Sequence, residues 1–182
     1  MDRINVIGVE TPFGLRTIEL MVGDVTEVPC DLLAVSAFRG GYSPTQGTVL
    51  GTLSERHGIS VRDEARQPEI DLRNQFGIWL TRRFDGFPFA RILCVEMLGA
   101  QDSVASAIEN VFVGVAILEA KAVGVSSLAL PFLGTGNQGI NREEVVSPLI
   151  SNAVRALRRS QSLGRVIFVA REEAAARLIS DE

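Results

Sequence analysis

The sequence predicts an α/β domain, a three-layer α/β/α sandwich with a mixed central sheet. Short apolar runs such as residues 32–35 and 128–133 have the length and composition of strands that are buried on both faces. Helical apolar patterns over residues 104–122 and 146–157 alternate with such strands. Because helices that alternate with buried strands cover both faces of one sheet, this order indicates three layers.

The domain is predicted to open with a β-hairpin. Residues 4–9 and 15–22 are rich in strand-forming side chains, and the turn-forming stretch 11–14 separates them. Residues 32–35 then form a short continuous apolar run, which is typical of a central strand.

A loop containing glycine and proline follows over residues 39–46. Residues 48–57 are predicted to form a helix that Gly58 closes. Residues 62–74 are polar and charged, so we expect them to lie on the surface. Two further strands are predicted at residues 76–80 and 91–97.

The clearest helix is predicted in the second half of the chain. Its apolar residues recur at steps of four and three and form one stripe: Val104, Ile108, Val111, Val115, Leu118 and Ala122. Asp102 or Ser103 would cap its start, and Gly124 would stop it.

The remaining elements continue the alternation. Residues 128–133 form a strand that leads into a glycine-rich loop. Asn141 stands three residues before Glu144, a variant of the capping box, and predicts a helix that Pro148 interrupts early. A final strand is predicted at residues 166–169 and a final helix at residues 172–179.

Length and composition favour one globular domain over residues 1–182. The chain has 182 residues, of which 46% are apolar, enough for a substantial core. It carries no internal repeat, low-complexity tract or domain boundary. It could nonetheless be one module of a longer protein.

Charge and cysteine usage exclude several functions. A net charge of −4 and a pI of about 5.2 lack the basic stripe of a duplex nucleic-acid binder. Cys30 and Cys94 have no metal-ligand spacing, and the chain has one histidine. We therefore expect no nucleic-acid partner, no metal site and two reduced core thiols.

Targeting signals are also lacking in the sequence. The longest apolar segments are strand-length or carry charges, so none should span a bilayer. Residues 1–4 lack the basic-then-apolar pattern of a signal peptide. These features predict a cytoplasmic protein with no membrane segment.

The apolar run at residues 128–133 ends in a loop that contains Gly134, Gly136 and Gly139. Glycines let backbone N–H groups approach an anion, and the following helix N-terminus adds positive potential. The spacing matches the dinucleotide fingerprint G-x-G-x-x-G, but that fingerprint opens its domain, whereas this loop lies near the end of the chain. We expect the loop to bind a phosphorylated ligand; a plain turn is the alternative.

Four segments occur in an informative order. Residues 22–26 read Val-Gly-Asp-Val-Thr, residues 31–37 form an apolar strand ending in Ser-Ala, and residues 47–53 and 131–139 are glycine-containing loops. In this order they resemble the Gly-Asp-Ile-Thr element, the strand ending in Val-Asn-Ala-Ala-Asn and the two phosphate loops of the macro domain. The resemblance covers nearly the whole chain and implies a macro-domain-like fold, an ADP-ribose-type ligand and no cofactor.

The resemblance also implies a role for each matching residue. Asp24 would accept a hydrogen bond from the exocyclic amine of adenine, and the Val25 N–H would meet the ring edge. A turn or N-cap role is the alternative for Asp24. The first loop would line the pyrophosphate, and the second would wrap the other phosphate and the distal ribose. The further implied contacts are Ala37, Phe38, Arg39, Gly47, Thr48, Val49, Leu50, Gly51, Leu133, Gly134, Thr135, Gly136, Asn137, Gln138 and Gly139.

Several positions depart from the family pattern, because this chain reads Ser36-Ala37-Phe38-Arg39 where hydrolytic macro domains have Asn-Ala-Ala-Asn. Arg39 replaces the second asparagine of Asn-Ala-Ala-Asn, and Leu50 replaces an aspartate that is frequent in the first loop. Since those polar groups place the distal ribose and the attacking water, their loss favours a module without catalytic residues. Arg171 stands where the family often has an aromatic platform for adenine; it could stack on the base or be a surface residue.

The altered loop suggests an altered ligand. Phe38, Arg39 and Tyr42 would surround the distal end of the nucleotide, which suits a modified or cyclised ADP-ribose. The alternative is that Phe38 packs into the core and Arg39 is solvated. We expect His57 to end a helix without a carboxylate partner and Trp79 to lie in the core.

These observations favour a non-catalytic module that binds ADP-ribose or an NAD-derived, cyclic or base-modified signal nucleotide. Divergent macro-like modules resemble the sensor domains that accompany TIR-type NADases in bacterial defence, which implies a fused or associated effector domain. The alternative is a hydrolase that removes ADP-ribose from proteins or cleaves an ADP-ribosyl ester or phosphoester, using Ser36, Asn137 or Arg39. A third alternative is a structural interaction domain without a ligand.

Overall fold

A mixed eight-stranded sheet forms the centre of the computed structural model, which describes residues 1–97, 104–133 and 142–171. The strands are β1 (Asp2–Thr11), β2 (Gly14–Val22), β3 (Cys30–Phe38), β4 (Ile70–Leu72), β5 (Ile78–Leu80), β6 (Phe89–Met97), β7 (Ser127–Pro131) and β8 (Arg165–Ala170). The helices are α1 (Val49–His57), α2 (Val61–Glu64), α3 (Arg73–Phe76), α4 (Val104–Ala120) and α5 (Arg142–Arg159), and a 3₁₀ turn spans Val25–Glu27.

The strand order places the ends of five parallel strands side by side. The order across the sheet is β1-β2-β8-β7-β3-β6-β5-β4. Strands β2, β8, β7, β3 and β6 run parallel to one another, whereas β1, β5 and β4 add antiparallel pairs at the two sides. The carboxyl ends of the parallel strands therefore meet along one edge of the sheet, called the carboxyl edge below.

Side chains of the sheet alternate between two cores. On β3, Leu32 and Ala34 face the core that also holds Ile108 and Leu149 of α4 and α5. Leu33, Val35 and Ala37 face the second core, with residues of α1, α2 and the 3₁₀ turn. The strand is buried on both faces because a layer of helices covers each side, as its continuous apolar run predicts. The predicted three-layer sandwich with a mixed sheet is confirmed.

The segment between α1 and β6 differs from the prediction. Residues 62–74 were expected to be surface, but Ile70–Leu72 form the edge strand β4, which pairs with β5. The predicted strand at 76–80 starts later, because Phe76 ends α3 and Gly77 adopts a left-handed conformation with φ +62°. Strand β5 begins only at Ile78.

Helix α4 also ends earlier than predicted. It stops at Ala120, and Ala122 adopts the left-handed conformation with φ +58°. The Val123 N–H donates to the Leu118 carbonyl at 2.9 Å, which is the hydrogen bond that closes a helix end. Gly124, the predicted stop, lies beyond this closure. The predicted caps at Asp102 and Ser103 lie outside the described residues.

Helix α5 begins at Arg142, directly after the predicted cap residue, and continues through Pro148 to Arg159. The predicted final helix at 172–179 lies outside the described residues. Both cysteines are buried, as expected, and burial raises the pKa of the Cys30 thiol to about 12. None of the helices in the described part of the chain is long and apolar enough to cross a membrane.

Candidate functional site

The carboxyl edge brings most of the predicted ligand-binding segments together. Asp24 and Val25 follow β2, Ala37 to Arg39 end β3, Leu133 follows β7, and Arg171 follows β8. Ligands of open α/β sheets bind outside the carboxyl ends of parallel strands, so this is the expected position for a site. The second glycine loop, which contains Gly134, Thr135, Gly136, Asn137, Gln138 and Gly139, lies outside the described residues.

Asp24 caps the 3₁₀ turn. Its Oδ1 accepts hydrogen bonds from the Thr26 N–H at 3.0 Å and from the Thr26 hydroxyl at 2.9 Å. Its Oδ2 lies 3.2 Å from Nη1 of Arg56, and the side chain is 26% exposed. The N-cap alternative for Asp24 is therefore confirmed for Oδ1, and Oδ2 pairs with Arg56.

The turn after β2 is held against the last strand. The Gly23 N–H donates to the Ala170 carbonyl at 2.8 Å. In the part of the chain that the structure describes, no hydrogen bond occupies the N–H of the buried Val25. The amide that the sequence predicts to meet the base edge therefore has no acceptor within these residues.

The first glycine loop ends at the N-terminus of α1. The Thr48 hydroxyl caps the helix, because it accepts from the Gly51 N–H at 3.1 Å and donates to the Thr45 carbonyl at 2.6 Å. Val49 and Leu50 are the first two helical residues, whose N–H groups have no partner within a helix. Such a terminus attracts an anion through these groups and through the helix dipole.

The predicted contacts at Leu50 and Gly51 have other uses in the fold. The Leu50 side chain is buried in the core beneath α1. The Gly51 N–H is taken by the Thr48 cap, and a Cβ at this position would lie 2.9 Å from the Thr45 carbonyl carbon. Gly51 is thus required for the close approach of the loop, and its own amide is not free for phosphate.

Arg171 closes one side of the first loop. Its Nη1 donates a hydrogen bond to the Gly47 carbonyl, which joins the end of β8 to the loop before α1. Gly47 adopts φ +81°, which favours glycine. The structure therefore brings two predicted ligand-binding residues into contact, with the Arg171 guanidinium directed at the loop backbone.

Phe38 and Arg39 form the rim of the carboxyl edge at the end of β3. The Gly41 N–H donates to the Phe38 carbonyl at 2.7 Å, which folds the chain back in a tight turn. Phe38 is 47% exposed, so the alternative that places it in the core is wrong. Arg39 donates to Asn74 Oδ1 at 3.2 Å, and its side chain is half exposed. Ala37 is buried and packs in the second core, so its side chain is not open to a ligand.

Glu96 is a buried carboxylate beside this rim that sequence reasoning missed. It lies opposite Ala37 in the pairing of β3 with β6, and its Oε2 is 3.9 Å from Arg39 Nε. The Tyr42 hydroxyl donates to its Oε1. The sequence did carry a signal for it, a single acidic residue within the apolar strand β6. Because a buried carboxylate needs a partner, such a residue predicts a paired group.

Tyr42 does not surround the ligand as predicted. It is 7% exposed and packs edge-on against Trp79, with 5.7 Å between ring centroids. Burial, together with the hydrogen bond to Glu96, raises the pKa of Tyr42 to about 12. Tyr42 therefore fixes the Glu96 carboxylate from within the core. The prediction that Trp79 lies in the core is confirmed.

His57 has the carboxylate partner that the sequence did not reveal. Its Nε2 lies 3.7 Å from Glu27 Oε1 and 3.0 Å from Thr26 Oγ1. It does end helix α1, as predicted. No sign of this contact is visible in the sequence because the partners are about thirty residues apart along the chain.

Comparisons with known proteins support the fold assignment. No protein-family model and no curated protein matches the sequence. A structure of an Oceanobacillus iheyensis macrodomain mutant with ADPR matches at TM-score 0.75 and 16% identity, over 97% of this chain and 96% of that chain. The Oceanobacillus iheyensis macrodomain with ADP matches at TM-score 0.73 and 18% identity, over 97% and 94%.

A second source gives the same result. The Trypanosoma brucei macrodomain in complex with ADP-ribose matches at TM-score 0.69 and 19% identity, over 90% of this chain and 68% of that chain. Each of these matches covers at least 90% of this chain. The chain has the macro-domain fold.

Proposed function

We propose that this chain is a non-catalytic module that binds ADP-ribose or an NAD-derived derivative of it at the carboxyl edge. The Oceanobacillus and Trypanosoma macrodomains that share the fold have been solved with ADP or ADP-ribose, which supports a nucleotide of this class. In this proposal the protein acts in the cytoplasm as the sensor for a fused or associated effector domain of a bacterial defence system.

The observation that carries the proposal is the pairing of two unlike recognition elements at one edge. The Asp24 carboxylate presents Oδ2 as an acceptor beside the amide of Val25, which suits the amine-bearing edge of adenine. The N-terminus of α1 presents the N–H groups of Val49 and Leu50, which suit phosphate. An acidic protein can bind an anionic nucleotide in this way because backbone groups supply the positive potential.

Leu50 and Arg39 both disfavour turnover of a bound ligand. Leu50 is buried and apolar at the position where a polar group would activate water. Arg39 carries a positive charge and donates to Asn74, so it cannot act as a general base. Both groups suit retention of a ligand better than its hydrolysis.

A hydrolase is the second candidate, and Glu96 is the observation that favours it. A buried carboxylate near the rim could serve as a general base. However, the Glu96 side chain is 2% exposed, accepts from Tyr42 and faces Arg39. A carboxylate so enclosed and paired is poorly placed to activate water, so we expect no product.

Calorimetric titration with ADP-ribose, ADP and NAD, followed by chromatography of each mixture, tests the proposal. We expect saturable binding of ADP-ribose or a derivative with the ligand recovered intact. A product peak would favour the hydrolase, and failure of all three nucleotides to bind would favour a structural domain without a ligand.

A matched pair of substitutions at Val49 locates the phosphate. Val49→Glu places a carboxylate at the N-terminus of α1, where it stabilises the helix but repels phosphate, so affinity should fall by about tenfold or more. Val49→Gln has the same size without the charge and should change affinity by less than about threefold. Equal losses in the two variants would show that charge at this helix end is irrelevant to binding.

A further inference from the structure

We infer that His57 orients the Asp24 carboxylate through the Thr26 hydroxyl, and that it thereby sets how strongly the site prefers a purine with a 6-amino group. The preference rests on the proposed function, because adenine is part of the proposed ligand. The contacts themselves belong to the free protein. His57 is thus a positioning residue, one step removed from the base.

Three side chains form one continuous line of hydrogen bonds. His57 Nε2 lies 3.0 Å from Thr26 Oγ1, which lies 2.9 Å from Asp24 Oδ1. The hydroxyl has one proton, and an ionised carboxylate can only accept, so Thr26 donates to Asp24. Thr26 Oγ1 must then accept from His57, which assigns the imidazole proton to Nε2.

This direction of donation fixes which oxygen of Asp24 is available. Oδ1 receives both donors of Thr26, the N–H and the hydroxyl. Oδ2 pairs with Arg56 at 3.2 Å, and because the Asp24 side chain is 26% exposed we take Oδ2 as the oxygen that meets the base. An acceptor held in this position attracts the 6-amino group of adenine and repels the 6-oxo group of hypoxanthine. Orientation of the carboxylate therefore governs discrimination between the two bases.

His57, which reaches the Asp24 carboxylate through Thr26, is held more firmly than Arg56, which contacts that carboxylate directly. The imidazole is 10% exposed and packs edge-on against Phe87 and Phe89, with ring centroids 5.9 and 5.8 Å away. The Arg56 side chain is 61% exposed, and exposed ion pairs constrain a side chain weakly. Thr26 is fully buried, so its rotamer depends on the groups packed around it.

The test compares His57→Phe with His57→Gln. Two ligands are compared: ADP-ribose and its analogue that carries hypoxanthine in place of adenine. The readout is the dissociation constant of the hypoxanthine analogue divided by that of ADP-ribose. Phe can pack against the same two phenylalanine rings but donates no hydrogen bond, so the ratio should fall by about threefold to tenfold. Gln retains a donor and should keep the ratio within about twofold of wild type. A ratio unchanged by His57→Phe would overturn the inference, since a packing defect alone weakens both ligands equally.

Thr26→Val tests whether the effect passes through the hydroxyl. In this background His57→Phe should leave the ratio unchanged, because the intermediate donor is already missing. If His57→Phe lowers the ratio as far in the Thr26→Val protein as in wild type, His57 acts by another route and the inference is wrong.

The free protein supplies a readout that does not depend on the ligand. Three-bond couplings between Hα and Hβ of Asp24 should report one χ1 rotamer in wild type and averaging among rotamers in His57→Phe. Should wild type bind neither nucleotide, the proposed function fails, and these couplings alone decide whether His57 orients Asp24. An unchanged single rotamer in His57→Phe would contradict that orientation.

Discussion

Gly51 determines how closely the first glycine loop can approach helix α1. A Cβ on this residue would lie 2.9 Å from the Thr45 carbonyl carbon and 3.4 Å from the Gln46 nitrogen. Both neighbours are backbone atoms, which cannot rotate away as a side chain can. Their position also matters to the site, because the Thr45 carbonyl accepts from the capping residue Thr48.

Gly51→Ala should therefore lower stability by about 1–3 kcal/mol, although alanine is the better helix former by about 1 kcal/mol. The loop must move away from α1, so ADP-ribose binding should weaken as well. Denaturant unfolding and a binding titration measure the two effects. Glu55→Ala, on the exposed face of the same helix, is the control and should change stability by less than about 0.5 kcal/mol. A stabilised Gly51→Ala protein would refute the close approach.

Features of single residues could be predicted where they depend on neighbours in the sequence. The stop of α1 at Gly58 follows from a few neighbouring residues and is confirmed, whereas the helix begins one residue later than predicted because Thr48 is its cap. The contacts of Glu96 with Tyr42 and of His57 with Thr26 join residues on different elements. No local pattern encodes such pairs, so the sequence did not reveal them.

The left-handed residue that closes helix α4 is an alanine, although glycine is the residue best suited to that conformation. Ala122 adopts φ +58° to close the helix, a conformation that costs an L-residue about 1–2 kcal/mol. Gly124, two residues later, could adopt it without that cost, which is why the sequence predicts the stop there. The tertiary structure instead closes the helix through Val123 and Leu118.

Ala122→Gly should relieve this strain and raise the free energy of unfolding by about 0.5–1 kcal/mol, after allowing for the greater entropy of glycine in the unfolded chain. Ala120→Gly, at the exposed last residue of the helix, should instead destabilise by a similar amount. Thermal or denaturant unfolding of the two variants checks the opposite signs. Destabilisation in both would show that Ala122 carries no strain.

Elements with a long apolar period were predictable, and short elements at the side of the sheet were not. Helices α4 and α5 bury the predicted faces, including Ile108 and Ala153. Strand β4 has only three residues, Ile70–Leu72, and gains its conformation from pairing with β5. The residues on either side of it, 62–69 and 73–74, are mostly polar or charged, so three strand residues among them did not stand out as a strand.

Across the whole molecule, an ion pair links the hairpin to the parallel strands. Glu19 of β2 accepts from Arg165 of β8 at 2.6 and 2.8 Å, and the Glu19 side chain is 8% exposed. The hydrogen bond from Arg165 holds the pKa of Glu19 below its ordinary value of 4.5. A carboxyl with a lowered pKa in the folded state stabilises the protein above its unfolded pKa, and this stabilisation is lost as the pH falls.

Wild type should consequently lose stability as the pH falls below about 4.5, and Glu19→Gln should show a shallower loss over the same range. Denaturant unfolding between neutral pH and the acid range measures both curves. Glu10→Gln, on the exposed strand β1, serves as the control and should follow the wild-type curve. Parallel curves for wild type and Glu19→Gln would show that this pair does not link folding to pH.

The topology explains why the position of the candidate site could be predicted from the sequence although the side-chain contacts within it could not. Parallel strands β2, β3, β7 and β8 end at one edge, so motifs that follow them in the sequence meet in space. Asp24, Phe38 and Arg171 lie at the ends of these strands, and it was the resemblance to the macro domain that singled them out in the sequence. The direction of each side chain could not be predicted, because it depends on partners such as Arg56 and Gly47 that the fold brings in from other elements.

The central claim is that ADP-ribose binds at the carboxyl edge through the turn after β2 and the N-terminus of α1. Amide chemical shifts of the isotope-labelled protein, followed during titration with ADP-ribose, test it most directly. We expect the amide signals of Val25, Val49 and Leu50 to shift until ADP-ribose saturates the site. The amide signals of hairpin residues Val6 to Glu10 should stay unchanged. Saturable shifts confined to other surfaces, or none at high ligand concentration, would contradict it.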